Sequence, residues 1–439
     1  MITDFRNKRV TVAGLGRFGG GIAVAQWLTS QGAKVLVTDQ APEEKLKESV
    51  AQLTGLPITY RLGQHIESDF TDTDVVVASP AIPPSNPFIR AATRANVPVT
   101  TEMKLFVERL PKTVRVLGVT GTKGKSTTTT MLGLMLKTRF TTHVGGNIGK
   151  SLLADLPNIK DDHLVLLELS SFMLEHLRSL KWSPHIAVFT MISQDHIEWH
   201  GTVEAYISAK AVLAENQTHH DFAVYNEANS GSLELAHKSQ GKKMPFGAPN
   251  PPGRPAFDLS LPGSHNQYNA QAAFTAASCL GVTFDEAQRA IKDFVGLPHR
   301  LQLVHDAGGV RYFNDSIATI PEAAVAALDS FPNKKVIQIV GGYDKHLDRT
   351  PLLHALNQKA KAVLCIGATG PAIAGEMAAL RTPTSPQVHN CTDLPTAMTL
   401  ARRLAQPGDV VLLSTGFASY DQFANFEKRG QAFAELAKA

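Results

Sequence analysis

A chain of 439 residues that is 43% hydrophobic and only 19% charged is too apolar for disorder and too long for one ordinary core; at roughly 100–200 residues per domain it divides into two to four. Its formal net charge of +4 is small for that length, which gives no reason to invoke nucleic acid and leaves acidic small molecules compatible. Cys279, Cys365 and Cys391 form no CxxC or zinc pattern, no run reaches 18 apolar residues and the N-terminus lacks a signal-peptide core, so the expectation is a cytoplasmic protein with no membrane partner.

Strand-like apolar runs recur along the chain, each followed by a helical stretch. RVTVAG (9–14), KVLVTD (34–39) and DVVVAS (74–79) make a first unit that ends near Leu110-Pro111. VRVLGVTG from Val114 opens a second, with HLVLLELS (163–170), HIAVFTM (185–191) and FAVYN (222–226), running to about Gly296 through a Pro/Gly-rich loop at 247–255. The third starts near LPHR (297–300) and contains KKVIQIVGG (334–342), AKAVLCIG (360–367) and GDVVLLSTG (408–416). Strands alternating with helices imply parallel sheets covered on both faces, an α/β protein of three domains at 1–111, 112–296 and 297–439.

The first turn of the chain, GLGRFG at Gly14–Gly19, fits G-x-G-x-x-G between a strand and a helix, and Asp39 follows 20 residues later at the end of the next strand. Glycines let the backbone approach a diphosphate, the helix start supplies N–H donors, and the acid suits a ribose hydroxyl. NAD and a nucleotide sugar satisfy these groups equally.

The stretch LGVTGTKGKSTTTT (117–130) is a second phosphate-binding loop of another build. The common G-x-x-x-x-G-K-[ST] pattern requires glycine at 119, where this chain has Val119; its glycines are Gly118, Gly121 and Gly124. The strand–loop–helix context nonetheless suits phosphate, with Lys125 for the β/γ-phosphates and Ser126 or Thr127 for Mg²⁺. Two different phosphate-reading loops argue against a plain nicotinamide oxidoreductase, which only GLGRFG and Asp39 support. Farther on, ELSSF places Glu168 at a strand end, SQDHIEWHG presents His196, and the helical EAYISAKAVLAEN carries Lys210. On sequence physics alone a helix lysine is a solvated one.

GVTGTKGKST, GGNIG, ELSSF, DH, SAK, GSHNQYNAQAA and LPHR, in this order and spacing, resemble the Mur ligase family, which builds the peptide stem of peptidoglycan; GTKGKST is the phosphate loop in that family's form. The resemblance runs on through NDSIATIPEA (314–323) and LLSTGFASYDQFANFEKRG (412–430). It implies a Rossmann-like N-terminal domain, a central P-loop ATPase-type domain and a Rossmann-like C-terminal domain. It also implies an ATP- and Mg²⁺-dependent amide ligase acting as a monomer.

The GLGRFG, ASPAIP (78–83) and DQFANFEKRG segments are similar to the member that joins glutamate to UDP-N-acetylmuramoyl-L-alanine. By this resemblance Gly14, Leu15, Gly16, Arg17, Asp39, Ser79, Asn147 and His196 meet the UDP-sugar. Gly121, Thr122, Lys123, Gly124, Lys125, Ser126, Thr127, Asn266, Asn269, Arg300 and Asp315 meet ATP. Ser126, Glu168, His196 and a carbamylated Lys210 hold metal, and Thr319, Lys345, Ser419 and Phe426 take the glutamate. One departure stands out. Glutamate-adding members usually read N-D-S-K-A-T-N, whereas this chain reads NDSIATI, with Ile317 for lysine and Ile320 for asparagine. That opens the choice between D-glutamate, L-glutamate and another amino acid, with Lys345 and His346 as compensating cations. A folylpolyglutamate synthetase-like ligase shares the phosphate loop but lacks the N-terminal UDP-type domain.

Overall fold

A computed structural model of the chain describes residues 4–16, 19–247, 256–261 and 263–439. The first sheet is built from β1 (Arg9–Ala13), β2 (Lys34–Asp39), β3 (Ile58–Leu62), β4 (Val75–Ala78) and β5 (Val99–Thr100), in the order β3-β2-β1-β4-β5. The second contains β6 (Arg115–Thr120), β7 (Thr142–Gly146), β8 (Leu164–Glu168), β9 (Ile186–Phe189), β10 (Phe222–Asn226) and β11 (Lys242–Phe246), in the order β11-β10-β9-β6-β8-β7. Both are parallel throughout.

The third sheet comprises β12 (Gln302–Ala307), β13 (Val310–Asn314), β14 (Val336–Val340), β15 (Ala360–Ile366), β16 (Gln387–Thr392) and β17 (Val410–Leu413), in the order β12-β13-β17-β14-β15-β16. It is mixed, because β12 runs antiparallel to β13 while the rest are parallel. The Gly308-Gly309 turn between them, with both residues at positive φ, makes this hairpin, which strand–helix alternation does not anticipate.

The described residues form two compact units, one of Met1–Ala256 with Tyr268–Ala290 and one of Phe257–Gln267 with Ile291–Ala439. The first two sheets lie in the former and the third in the latter. Every residue of β4, β8, β9, β14 and β17 is buried, as expected for parallel strands covered on both faces. These continuous apolar runs are among those visible in the sequence. The edge strands β3, β7, β11, β12 and β16 are polar or interrupted, and Pro245 is tolerated in β11 because no strand among the described residues pairs beyond it.

Helices that bear candidate residues are capped locally. Ser170 accepts from Met173 N at the start of Ser171–Leu177, Thr202 from Ala205 N before Val203–Glu215, and Asn425 from Lys428 N before Phe426–Lys438. The helix after the phosphate loop, Lys125–Leu136, is buried on nearly all sides, its threonines Thr127 to Thr129 included.

Candidate active site

β6 is central in its sheet, flanked by β8 and β9, so the loop that leaves its carboxyl end opens where parallel sheets receive ligands. Gly124 caps the following helix at φ 88°, and a Cβ there would come within 2.5 Å of Asn269 Oδ1. Only glycine fits that turn. Asn269 also accepts from Thr128 Oγ1 at 3.3 Å, which seats it on the phosphate-loop helix. Lys125 Nζ donates to Gly121 O at 2.8 Å and Thr122 O at 3.0 Å, holding its charge in the curl of the loop. Thr122 Oγ1 is joined to Ser193 and to Tyr206 OH, at 2.8 Å from the phenol. Lys123 pairs across an isolated bridge with Met191, and Ser126 lies in the helix's first turn.

Lys210 is where local sequence physics and structure part. The helix that carries it is packed against the phosphate loop, and the lysine is 2% exposed. Its Nζ donates to Gly121 O at 3.0 Å and lies 4.7 Å from the Tyr206 ring centroid. Two lysine side chains thus converge on one carbonyl, that of Gly121. Burial, and then the charge of Lys125, hold the Lys210 amine well below its usual range, against a smaller opposing pull from Asp195. A neutral amine is the form that reacts with CO₂.

Glu168 ends β8 with 0% exposure. Asn147 binds it twice, through N–H to Glu168 O at 2.8 Å and through Nδ2 to Oε1 at 2.9 Å. The other oxygen, Oε2, is buried with no hydrogen-bond partner. An orphaned carboxylate oxygen at the mouth of a phosphate loop is costly without a cation, and this donor chemistry fits Mg²⁺. His196 sits at φ 52°, 44% exposed, with Asp195 and Glu198 each 3.6 Å from its ring and the Phe172 ring tilted against it at 4.8 Å between centroids. Among the described residues no three His, Cys, Asp or Glu side chains gather closely enough to hold a metal by themselves. A metal held by Glu168 and His196 would therefore need further oxygens, such as those of a carbamate, a hydroxyl or phosphates.

The first glycine loop leaves β1 at the switch point, where the chain moves from β2 on one side to β4 on the other. A cavity of about 500 Å³ opens there, lined by Gly14, Leu15, Gly16, Ser79, Asn147 and Lys150 among others. Asp39 accepts from Gly16 N at 3.0 Å and Ala41 N at 2.8 Å; it closes the loop and is not among the cavity-lining residues. Leu15 is buried in the core beneath. Arg17 lies outside the described residues.

In the second unit the acceptor candidates Thr319, Ser419 and Lys345 fall on loops from three adjacent parallel strands, β13, β17 and β14, and Phe426 opens the helix Phe426–Lys438. The first carries Asp315 and Thr319, the second Ser419, the third Lys345. Gly416 N donates to Ala318 O and Tyr343 N to Ala418 O, so the loops are stitched together. Asp315 is 5% exposed, bonded by Ser414 Oγ at 2.7 Å and Leu301 N at 3.1 Å; burial pushes its carboxyl up to about 7. Arg300 adjoins it and acts on its charge. Asn266 is buried, Ile317 half-buried and Ile320 45% exposed. Lys345 is exposed, and His346, 91% exposed beside Asp344, is not drawn into the loop cluster.

Residues that the motifs do not single out complete the first unit. Trp199 Nε1 donates to Ala81 O at 3.0 Å, and the half-buried His176 ring lies edge-on to Trp199 at 6.3 Å. Trp199 therefore grips the strand-end loop of β4 that lines the cavity. Glu102, in the same wall, bonds Ser151 Oγ at 2.7 Å, and burial raises its carboxyl. Only Trp199, beside His196 in SQDHIEWHG, had a signal in the sequence; a lone Glu or His elsewhere carries none.

Two phosphate-suited loops on two parallel sheets, with a separate loop cluster on a third, define a nucleotide-dependent α/β enzyme of three domains. Three family models match it: "Mur ligase MurD-like, N-terminal domain" over residues 8–101, "Mur ligase middle domain" over 119–252 and "Mur ligase, glutamate ligase domain" over 299–416. The chain is 39% identical to the UDP-N-acetylmuramoylalanine–D-glutamate ligase of Roseiflexus sp. (strain RS-1), over 98% of each chain. It is 38% identical to that of Anaeromyxobacter dehalogenans (strain 2CP-C), over 99% of this chain and 98% of the relative.

Among solved structures, UDP-N-acetylmuramate-alanine ligase MurC from Thermotoga maritima aligns with a TM-score of 0.63 at 22% identity, over 98% of this chain and 99% of that one. MurF ligase from Thermotoga maritima in complex with ADP aligns at 0.56 and 18% identity, over 99% and 96%. The protein belongs to the Mur ligase family, whose members are ATP-dependent amide-bond-forming enzymes.

Proposed function

We propose that the protein ligates D-glutamate to UDP-N-acetylmuramoyl-L-alanine with cleavage of ATP, as a cytoplasmic monomer. The observation that carries the nucleotide half of this reading is the convergence of Lys125 and the buried Lys210 on Gly121 O. The near full-length identity to D-glutamate ligases supports the substrates. No helix among the described residues is long and apolar enough to cross a membrane, which accords with soluble substrates.

In this reading a carboxylate oxygen of the UDP-linked substrate attacks the γ-phosphorus of ATP, the bond to the β-phosphate bridging oxygen breaks, and ADP leaves. The glutamate nitrogen then attacks the acyl phosphate carbon, loses a proton, and phosphate departs with the electrons of the C–O bond. The protein's part is to neutralise and align groups that are all anionic. Lys125 offsets charge at the β/γ-phosphates. The Gly14–Gly16 turn and Ser79 hold the UDP-sugar, with Asn147 linking that cavity to Glu168. Asn266, Asn269, Arg300 and Asp315 orient the nucleotide, while Thr319, Lys345, Ser419 and Phe426 orient glutamate. Ser126, Glu168, His196 and carbamylated Lys210 would hold Mg²⁺, which supplies further neutralisation of phosphate charge.

The apolar Ile317 and Ile320 beside Thr319 favour one variation, a pocket that takes L-glutamate or another amino acid in place of D-glutamate. Phosphate release by the purified protein, measured with ATP, Mg²⁺ and UDP-N-acetylmuramoyl-L-alanine, separates these readings when D-glutamate, L-glutamate and neutral amino acids are added one at a time. D-glutamate should be preferred. Preference for a neutral or basic amino acid would refute the acceptor assignment and keep the ligase chemistry.

A further inference from the structure

Arg429 is the largest fully buried side chain among the described residues, 1% exposed, in the first turn of the helix Phe426–Lys438. No carboxylate pairs with it among the described residues; the charge of Asp421 acts on it from farther off. Its guanidinium instead directs its donors at neutral oxygens of two loops. Nε donates to Ser316 Oγ at 2.9 Å, Nη2 to Ser316 O at 2.9 Å and Nη1 to Phe417 O at 3.0 Å. Ser316 Oγ donates its own proton to Phe426 O at 2.8 Å.

Ser316 lies three residues before Thr319 and Phe417 two before Ser419, on the loops that follow the adjacent strands β13 and β17. Gly430 lets the helix sit this deep, since a Cβ there would fall 2.1 Å from His299 Nδ1. A buried cation that faces only neutral acceptors is a costly way to attach a helix, and an apolar side chain would pack there at lower cost. What the planar fork adds is direction, three bonds at fixed angles to two loops.

We propose that Arg429 is a positioning residue for the acceptor amino acid: it fixes the Ser316 and Phe417 loops relative to each other and so sets the spacing of Thr319 and Ser419. This rests on the reading that these loops receive the acceptor. Asp315, at the start of the same loop, has its own bonds at the strand ends, from Ser414 Oγ and Leu301 N and not through Arg429, so nucleotide contacts should be spared. Lysine at 429 keeps the charge but cannot span both loops.

The test compares wild type, Arg429→Lys and Ser316→Ala by initial rates of phosphate release, varying amino acid and ATP separately, with thermal melts to confirm folding. Arg429→Lys should raise the KM for the amino acid about ten-fold, as for loss of a charge-assisted bond, and leave the KM for ATP within about two-fold. Ser316→Ala should shift the same KM in the same direction by about three-fold. A fall in kcat with both KM values unchanged, or equal rises in both, would assign Arg429 to stability alone and overturn the proposal. If Arg429→Lys does not fold, an unchanged amino-acid KM in Ser316→Ala overturns it. A wild type that ignores glutamate refutes the acceptor reading instead, and the same KM criterion then applies with whichever amino acid it uses.

Discussion

Lys210 and Arg429 are both fully buried cations, one in each unit, and the protein treats them in opposite ways. Lys210 has one good acceptor for its three donors, Gly121 O, and shares it with the charged Lys125. Burial and that neighbour drive it toward the neutral amine. Arg429 has three well-aligned acceptors, and burial lowers its guanidinium only to about 10, so it stays charged at neutral pH. An amine that is poorly solvated by the protein becomes a reagent, whereas a guanidinium that is well solvated by it becomes a scaffold. In the proposed reaction the residue assigned to chemistry is the one short of hydrogen bonds, and the residue assigned to alignment is the one well supplied with them.

Removing the charge that depresses Lys210 is the harshest challenge to this contrast. Lys125→Ala should relieve only the lesser cause of the depression at Lys210, since burial remains, yet turnover should fall at least about a thousandfold because the β/γ-phosphates lose their main protein cation. Steady-state phosphate release reads this, and near wild-type rates would mean the loop does not serve phosphate transfer. Lys210→Ala should cost about a hundredfold in kcat, the scale of removing a group that supports a metal ligand set. Acetate or formate should restore part of it by standing in for a carbamate, while the same salts should leave Arg429→Lys unimproved.

Lys345→Ala tests a cation of a third kind, an exposed one. Loss of its charge-assisted bond of roughly 1.5–3 kcal/mol should raise the glutamate KM about ten-fold or more, with kcat less affected. Unchanged glutamate KM would remove Lys345 from the acceptor site.

A fourth test is read in stability instead of turnover and concerns Asp315, a buried group of the other sign. Its folded pKa of about 7 lies above the carboxyl's ordinary value, so the native state keeps a proton that the unfolded chain releases from about pH 4 upward. Its contribution to stability is therefore complete below pH 4, falls as pH rises to about 7, and stays low above. The total swing is at most about 4 kcal/mol. Asp315→Asn should flatten this decline, so urea melts at pH 5 and pH 8 should differ less than in wild type. An equal or steeper loss at pH 8 would contradict the assignment.

Much of the fold is legible in the sequence. The buried strands β1, β2, β4, β6, β8, β9, β10, β14, β15 and β17 stand out as apolar runs, because both faces of a parallel sheet are covered. The edge strand β3 does not, being half-exposed, nor does β5, which is two residues long. The phosphate loop is legible through its glycines and its place between strand and helix. Lys210 is not legible from local pattern, since helical spacing cannot reveal that one turn of Val203–Glu215 packs against a loop some 90 residues earlier; only likeness to a family points to it. Arg429 has no signal beyond its motif, because its partners Ser316 and Phe417 are distant in sequence and bind mainly through backbone carbonyls, which any residue possesses.

In the proposed reaction a carboxylate is activated by transfer of phosphate before the amide forms, and every role assigned to the buried cations depends on that order. UDP-N-acetylmuramoyl-L-alanine labelled with ¹⁸O in its alanine carboxylate, incubated with ATP, Mg²⁺ and D-glutamate, tests it directly by mass analysis of the released phosphate. Activation through an acyl phosphate moves one carboxylate oxygen into each phosphate formed with product. Amide formation with unlabelled phosphate would contradict the account.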